Sequence, residues 1–210
     1  MAEEGGVESI RIPAGAVALE GELRLPADAR GLVVFAHGSG SSRHSSRNQF
    51  VARQLEAAGF GTLLFDLLTV EEDQDRERRF DIPLLADRLE AAVRWAEGGF
   101  DCSIGLFGAS TGAAAAVIAA TRVPVSCVIS RGGRPDLAGE SLRDLTSPTL
   151  FLVGGNDAQV LALNWKALDA IPATTPRLLQ VVPAAGHLFE EPGALEEVAR
   201  LAGEWLQLWG

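Results

Sequence analysis

The chain predicts an α/β fold: a mostly parallel sheet opened by an antiparallel N-terminal hairpin, with helices on both faces and no cap domain. Three observations carry this expectation. Residues 7–26 alternate apolar and polar in two short runs. After them, continuous apolar runs of strand length recur between stripes of helical spacing. At 210 residues the chain also fits one domain, spanning 1–210, with a substantial core.

The elements follow in order. Val7-Glu8-Ser9-Ile10-Arg11-Ile12 and Leu19-Glu20-Gly21-Glu22-Leu23-Arg24-Leu25-Pro26 read as paired half-buried strands, with Pro13 to Gly15 near the turn. The apolar run 31–36 reads as a strand covered on both faces. Past a polar loop, Phe50, Val51, Leu55 and Ala58 hold helical spacing that Gly59 ends. A strand is expected over 62–68. Ile82, Leu85, Leu89, Ala92 and Ala96 then form a helical stripe with Asp81 placed to cap it. Strands over 102–107, 125–130, 149–153 and 178–182 follow, with helices over 113–120, 160–170 and from Leu195 to the end. A hairpin followed by repeated strand–helix units implies parallel pairing. Trp95, Trp165, Trp205 and Trp209 read as helix faces against the core, with Trp209 partly exposed. The charged run 71–79 reads as a solvated loop, or alternatively as a mobile lip over the site. No insertion between strands is long enough for a cap, so a fairly open site is expected.

Composition narrows the function classes. The formal net charge of −10 disfavours nucleic acid and anionic membranes as partners. No apolar stretch has the length of a membrane span, and Met1-Ala2-Glu3-Glu4 lacks the basic start of a secretory signal, so a cytoplasmic location is expected. Cys102 and Cys127 lie in apolar runs and read as buried thiols. Three histidines and two separated cysteines show no metal-ligand spacing; neither a metal nor a cofactor is expected.

The chemistry begins at Gly108-Ala109-Ser110-Thr111-Gly112. In a chain with 23 glycines G-x-S-x-G is a cheap pattern. Its flanks give it meaning: an apolar strand before it and an alanine-rich helix after it. At such a junction a sharp turn lifts a serine hydroxyl clear of the sheet edge, and small residues on either side let backbones approach closely. Downstream, the 149–153 strand leads into Gly154-Gly155-Asn156-Asp157, and the 178–182 strand leads to His187. Ser110, Asp157 and His187 each follow the C-terminal end of a strand, where open α/β sheets gather their sites. Asp136, after the 125–130 strand, is the competing acid. His37 reads as an organiser of its loop and not as a base. In the polar loop 41–48, Arg43 and His44, together with Arg131, are candidates to line the mouth and favour an anionic acyl group; a solvated helix-capping connection is the plainer reading.

These residues resemble the α/β-hydrolase superfamily, and within it the small capless dienelactone-hydrolase-like branch. The segments concerned are Val33-Val34-Phe35-Ala36-His37-Gly38-Ser39-Gly40, 105–112, 151–157 and 186–189, covering the chain from about residue 30 onward. Dienelactone hydrolases carry a cysteine at the nucleophile position where this chain has Ser110, which shifts the expectation toward ordinary ester cleavage. The resemblance implies Ser110 as nucleophile, His187 as base, Asp157 as its orienting acid, and an oxyanion hole from the backbone N–H of Thr111 with that of Ser39, or alternatively Gly40. It implies a small-molecule ester substrate, of short-chain or aryl type. Lactone or dienelactone hydrolysis, acyl transfer and peracid formation are alternatives on the same residues; a non-catalytic binding member of the fold is the alternative of another class. Monomer and homodimer are equally compatible with the sequence.

Overall fold

The N-terminal alternation becomes β1 (Glu8–Ala14) and β2 (Val17–Arg24), paired antiparallel with Ala14 opposite Val17. Gly15, at φ +68°, supplies the positive φ that a two-residue hairpin turn needs at its first position. The computed structural model describes residues 6–210, so the acidic start Met1-Ala2-Glu3-Glu4 lies outside the described residues.

Six parallel strands follow: β3 (Leu32–Ala36), β4 (Gly61–Phe65), β5 (Ile104–Ala109), β6 (Cys127–Arg131), β7 (Thr149–Gly154) and β8 (Arg177–Val182). They join the hairpin in one eight-stranded sheet of order β1-β2-β4-β3-β5-β6-β7-β8. Strand β3 neighbours β4 on one side and β5 on the other, so the chain reverses direction across the sheet there. That reversal opens a crevice at the C-terminal ends of β3 and β5.

Helices α1 (Ser46–Ala57) and α5 (Ala194–Trp209) cover one face, where Val51, Leu55, Val198 and Leu206 pack on Val33, Phe35, Phe107 and Ile129. Helices α2 (Ile82–Gly99), α3 (Thr111–Ala120) and α4 (Ala158–Ala170) cover the other, with Leu89, Val93 and Val117 against Val34, Leu106 and Val128. The continuous apolar runs of the central strands are thus buried from both sides. Asp81 caps α2 by accepting the Leu84 N–H (3.1 Å). Among the described residues no helix is long and apolar enough to cross a membrane.

Three expectations are corrected. The strand expected over 62–68 ends at Phe65, because the Leu67 N–H turns away from the ladder to the imidazole of His37. The run 71–79 is exposed over most of its length, as a solvated loop should be, but departs from that reading in forming two 3-10 turns around a buried Glu72. The Glu72 carboxylate accepts from the Thr69 N–H and pairs with Arg78 (3.0 Å) and Arg88 (2.9 Å). Trp165 is 48% exposed on α4, whereas Trp205 is buried in α5. Between β6 and β7 a 3-10 stretch (Pro135–Asp144), broken at Gly139 (φ +56°), stands where the sequence offered no element.

Candidate active site

Ser110 sits between β5 and α3 at φ 51°, ψ −122°, a conformation that costs a non-glycine residue about 1–3 kcal/mol. The flanking glycines make the turn possible. A Cβ on Gly112 would lie 2.2 Å from the Ala36 carbonyl oxygen, and one on Gly108 would lie 2.5 Å from Cα of Ala113. Gly38 is equally constrained, since its Cβ would meet that of Ser110 at 2.9 Å. The pentapeptide therefore packs α3 onto the ends of both β3 and β5 while holding the serine above them.

Asp157 and His187 follow β7 and β8, which are neighbours, and their two loops are tied together. The Asn156 N–H donates to the Ala185 carbonyl (2.9 Å) and the Asn156 side-chain amide to that of Ala184 (2.8 Å). Gly154 is required there, because a Cβ would lie 2.4 Å from the Ala185 oxygen. His187 Nδ1 donates to Asp157 Oδ2 at 2.7 Å, which leaves Nε2 of the neutral ring free as an acceptor. The other carboxylate oxygen of Asp157 accepts the Val160 N–H and caps α4. Phe189, buried at φ 54°, anchors the histidine loop beneath Gly132. Asp136, the competing acid, is held in a bidentate pair by Arg134 (2.8 Å for both contacts).

The loop after β3 carries the remaining donors. Burial pushes the His37 imidazole below its usual pKa, outweighing the hydrogen bond to Gly38 and the nearby carboxylates Asp66 and Asp73. Its Nε2 accepts the Leu67 N–H (3.0 Å) and its Nδ1 donates to the Gly38 carbonyl (2.9 Å). Both nitrogens are thus used in holding the loop. The Ser39 N–H donates to the Thr111 hydroxyl (2.8 Å), a contact the sequence reading missed. The Thr111 N–H lies in the first turn of α3, where it has no intrahelical partner. Ser39 lines the same cleft as Ser110; Gly40 instead borders a separate hollow beside Asp73 and Arg79.

That cleft has a volume of about 190 Å³, and Ser39, Ser110, Arg131 and His187 all border it. A larger hollow of about 720 Å³ opens elsewhere, beside Cys102, Arg122 and Pro148. It contains no histidine, and burial together with Asp101 pushes the Cys102 thiol up, so it offers no activated nucleophile.

Of the three residues expected at the mouth, only Arg131 borders the cleft. Arg43 is drawn away by Asp66, which pairs with its guanidinium and accepts its backbone N–H (2.7 Å). His44 faces Glu22 at 3.6 Å. Arg47, on the first turn of α1, borders the cleft in their place.

The α/β hydrolase domain family matches this chain over residues 29–198. With the eight-stranded sheet and the serine turn already described, that match shows that the chain belongs to the α/β-hydrolase family. A dienelactone hydrolase from Anabaena variabilis is 47% identical, with a TM-score of 0.94 over 99% of this chain and 99% of that one. An esterase from Pyrococcus furiosus has a TM-score of 0.80 over 97% of this chain and 91% of that one; at 18% identity it is a likeness of fold alone. A Mycobacterium tuberculosis protein named as a phosphoribosyl transferase is 55% identical over 203 residues, 94% of this chain and 45% of its own length. The chain therefore spans less than half of that curated relative.

Proposed function

We propose that the protein hydrolyses carboxylic esters through an acyl-serine intermediate, with Ser110 as nucleophile, His187 as general base and acid, and Asp157 as the orienting acid. The observation that carries this reading is the 2.7 Å contact between His187 Nδ1 and Asp157 Oδ2, beside the cleft that the strained Ser110 shares. With Nδ1–H fixed on the carboxylate, Nε2 is the basic nitrogen. It takes the Ser110 proton as Oγ bonds to the ester carbonyl carbon, and returns a proton to the departing alcohol as the C–O bond breaks. Water then repeats the sequence on the acyl-enzyme. The Thr111 N–H receives the oxyanion, joined by the Ser39 N–H once the Thr111 hydroxyl shares or yields it. A cleft of about 190 Å³ suits short acyl chains or a single aromatic ring.

The name of the mycobacterial relative does not carry over. A strained serine beside a His–Asp pair serves acyl chemistry, not pentose transfer, and the chain matches only 45% of that protein. The test is intact-mass labelling with a fluorophosphonate, alongside turnover of p-nitrophenyl acetate and butyrate. One adduct on the wild type, none on Ser110→Ala, and turnover lost in parallel is the expected result. A well-folded wild type that takes no adduct would sink the proposal. Added alcohol or peroxide competing with water for the acyl-enzyme would move the reading to acyl transfer.

A further inference from the structure

The cleft beside Ser110 is lined by two arginines, and one of them, Arg131, has no carboxylate partner among the described residues. Arg131 is the last residue of β6, paired in register with Ala109, and its carbonyl accepts the Ser110 N–H (3.4 Å). Its guanidinium therefore starts from the strand position next to the nucleophile. The residue is only 8% exposed, and Nη1 is buried with no hydrogen-bond partner among the described residues. The charge acting on it is another cation, Arg47, and burial first and Arg47 second push its pKa down to about 10, so it stays charged at neutral pH. Arg47 has a buried, unpartnered Nε of its own; only its Nη1 meets an acid, the exposed Glu190 at 3.5 Å. Asn48, also bordering the cleft, has an unpartnered buried Oδ1, and half a turn of that amide presents an N–H2 donor instead. Three of the seven buried, unpartnered side-chain polar atoms among the described residues thus belong to residues of this one cleft.

Burying the Arg131 charge near the half-buried cation Arg47, with Nη1 unpartnered, is costly unless a negative group joins them. Arg88, the other arginine of this chain with a similarly buried side chain, has a carboxylate partner in Glu72 (2.9 Å), which Arg131 lacks. We infer that Arg131 and Arg47, with Asn48, form an anion subsite that holds an oxyanion substituent, carboxylate or phosphate, on the substrate attacked by Ser110. This deepens the ester-hydrolase reading and rests on it for the word substrate; the anion site itself stands on the geometry. The substituent lies close to the scissile carbonyl, because Arg131 and Ser110 are backbone neighbours across β5 and β6.

The test has two independent readouts. Thermal shift and calorimetric titration of the wild type, Arg131→Gln, Arg47→Gln and the remote control Arg143→Gln use succinate and inorganic phosphate as probes, against chloride at equal ionic strength. The second readout is the ratio of kcat/KM for mono-p-nitrophenyl glutarate to that for neutral p-nitrophenyl butyrate, corrected for uncatalysed hydrolysis. The subsite predicts saturable binding to the wild type and to Arg143→Gln. In Arg131→Gln it predicts weaker binding and a charged-to-neutral ratio reduced roughly 10- to 100-fold. The stronger of the two anions identifies the substituent. If Arg131→Gln fails to fold, Arg47→Gln carries the comparison with a smaller loss. A wild type that binds neither anion better than chloride and shows no preference for the charged ester overturns the subsite and leaves ester hydrolysis standing. Saturable anion binding with no turnover of any ester retains the subsite and removes the hydrolase reading.

Discussion

Two histidines stand at the same edge of the sheet and have opposite surroundings. His37, after β3, is buried, neutral and hydrogen-bonded through both ring nitrogens to backbone. His187, after β8, borders the cleft with a side chain 41% exposed and has one ring nitrogen on a carboxylate. A ring with both nitrogens engaged has no site left for a moving proton. One with a single nitrogen fixed has a defined tautomer and a free base. The imidazole is the same; the hydrogen-bond inventory around it separates a structural role from the reactive one proposed for His187.

That contrast can be broken most sharply by substitution at the proposed base. His187→Ala is expected to lower ester turnover roughly 10⁴-fold or more, with the fold retained by circular dichroism. Asp157→Asn should lose about 10²- to 10⁴-fold, because an amide no longer selects the productive tautomer. Retention of full activity in either variant would erase the distinction between the two histidines.

The same contrast extends to the carboxylates. Glu72→Ala leaves Arg88, whose side chain is 13% exposed, without its acid, and should cost about 3 kcal/mol in denaturant unfolding. A change within experimental error would leave Glu72 with no anchoring role in the 71–79 segment.

A smaller effect lies in the pH dependence of stability. The folded pKa of His37 is below its unfolded value of 6.5, so between the two the unfolded chain binds the extra proton. The His37 contribution is complete above pH 6.5 and is lost as pH falls from there through the folded value. Stability measured from pH 8 down to pH 5 should therefore decline, and His37→Asn should flatten its own share of the slope. A His37→Asn profile parallel to the wild type would contradict a buried neutral ring. The least effect is expected at the thiols. Burial pushes Cys127 up to about 12, so iodoacetamide on the native protein should mark Cys102 first and leave Cys127 until unfolding.

What the sequence made legible was whatever depends on neighbours along the chain. The Ser110 turn is coded by glycines two residues away on each side. The cap at Asp81 and the hairpin turn near Gly15 are equally local. Charge accounting was not legible, because it depends on register across the sheet. Asp66 follows β4 and Glu22 comes from β2, and together they remove Arg43 and His44 from the cleft. Arg47 was passed over because only the position of α1 reveals which side of the loop faces Ser110. The Thr111 hydroxyl was missed for the same reason: its partner, the Ser39 amide, lies 72 residues away in sequence.

One carboxylate in the site has two duties. Asp157 begins α4 with one oxygen and holds the imidazole with the other. The first turn of that helix and the aim of the His187 ring are therefore a single mechanical coordinate. Fraying of α4 would slacken the histidine before the sheet yields, and the protein would fall silent while still folded. A heated sample should accordingly lose its catalytic signal at a lower temperature than its far-ultraviolet ellipticity.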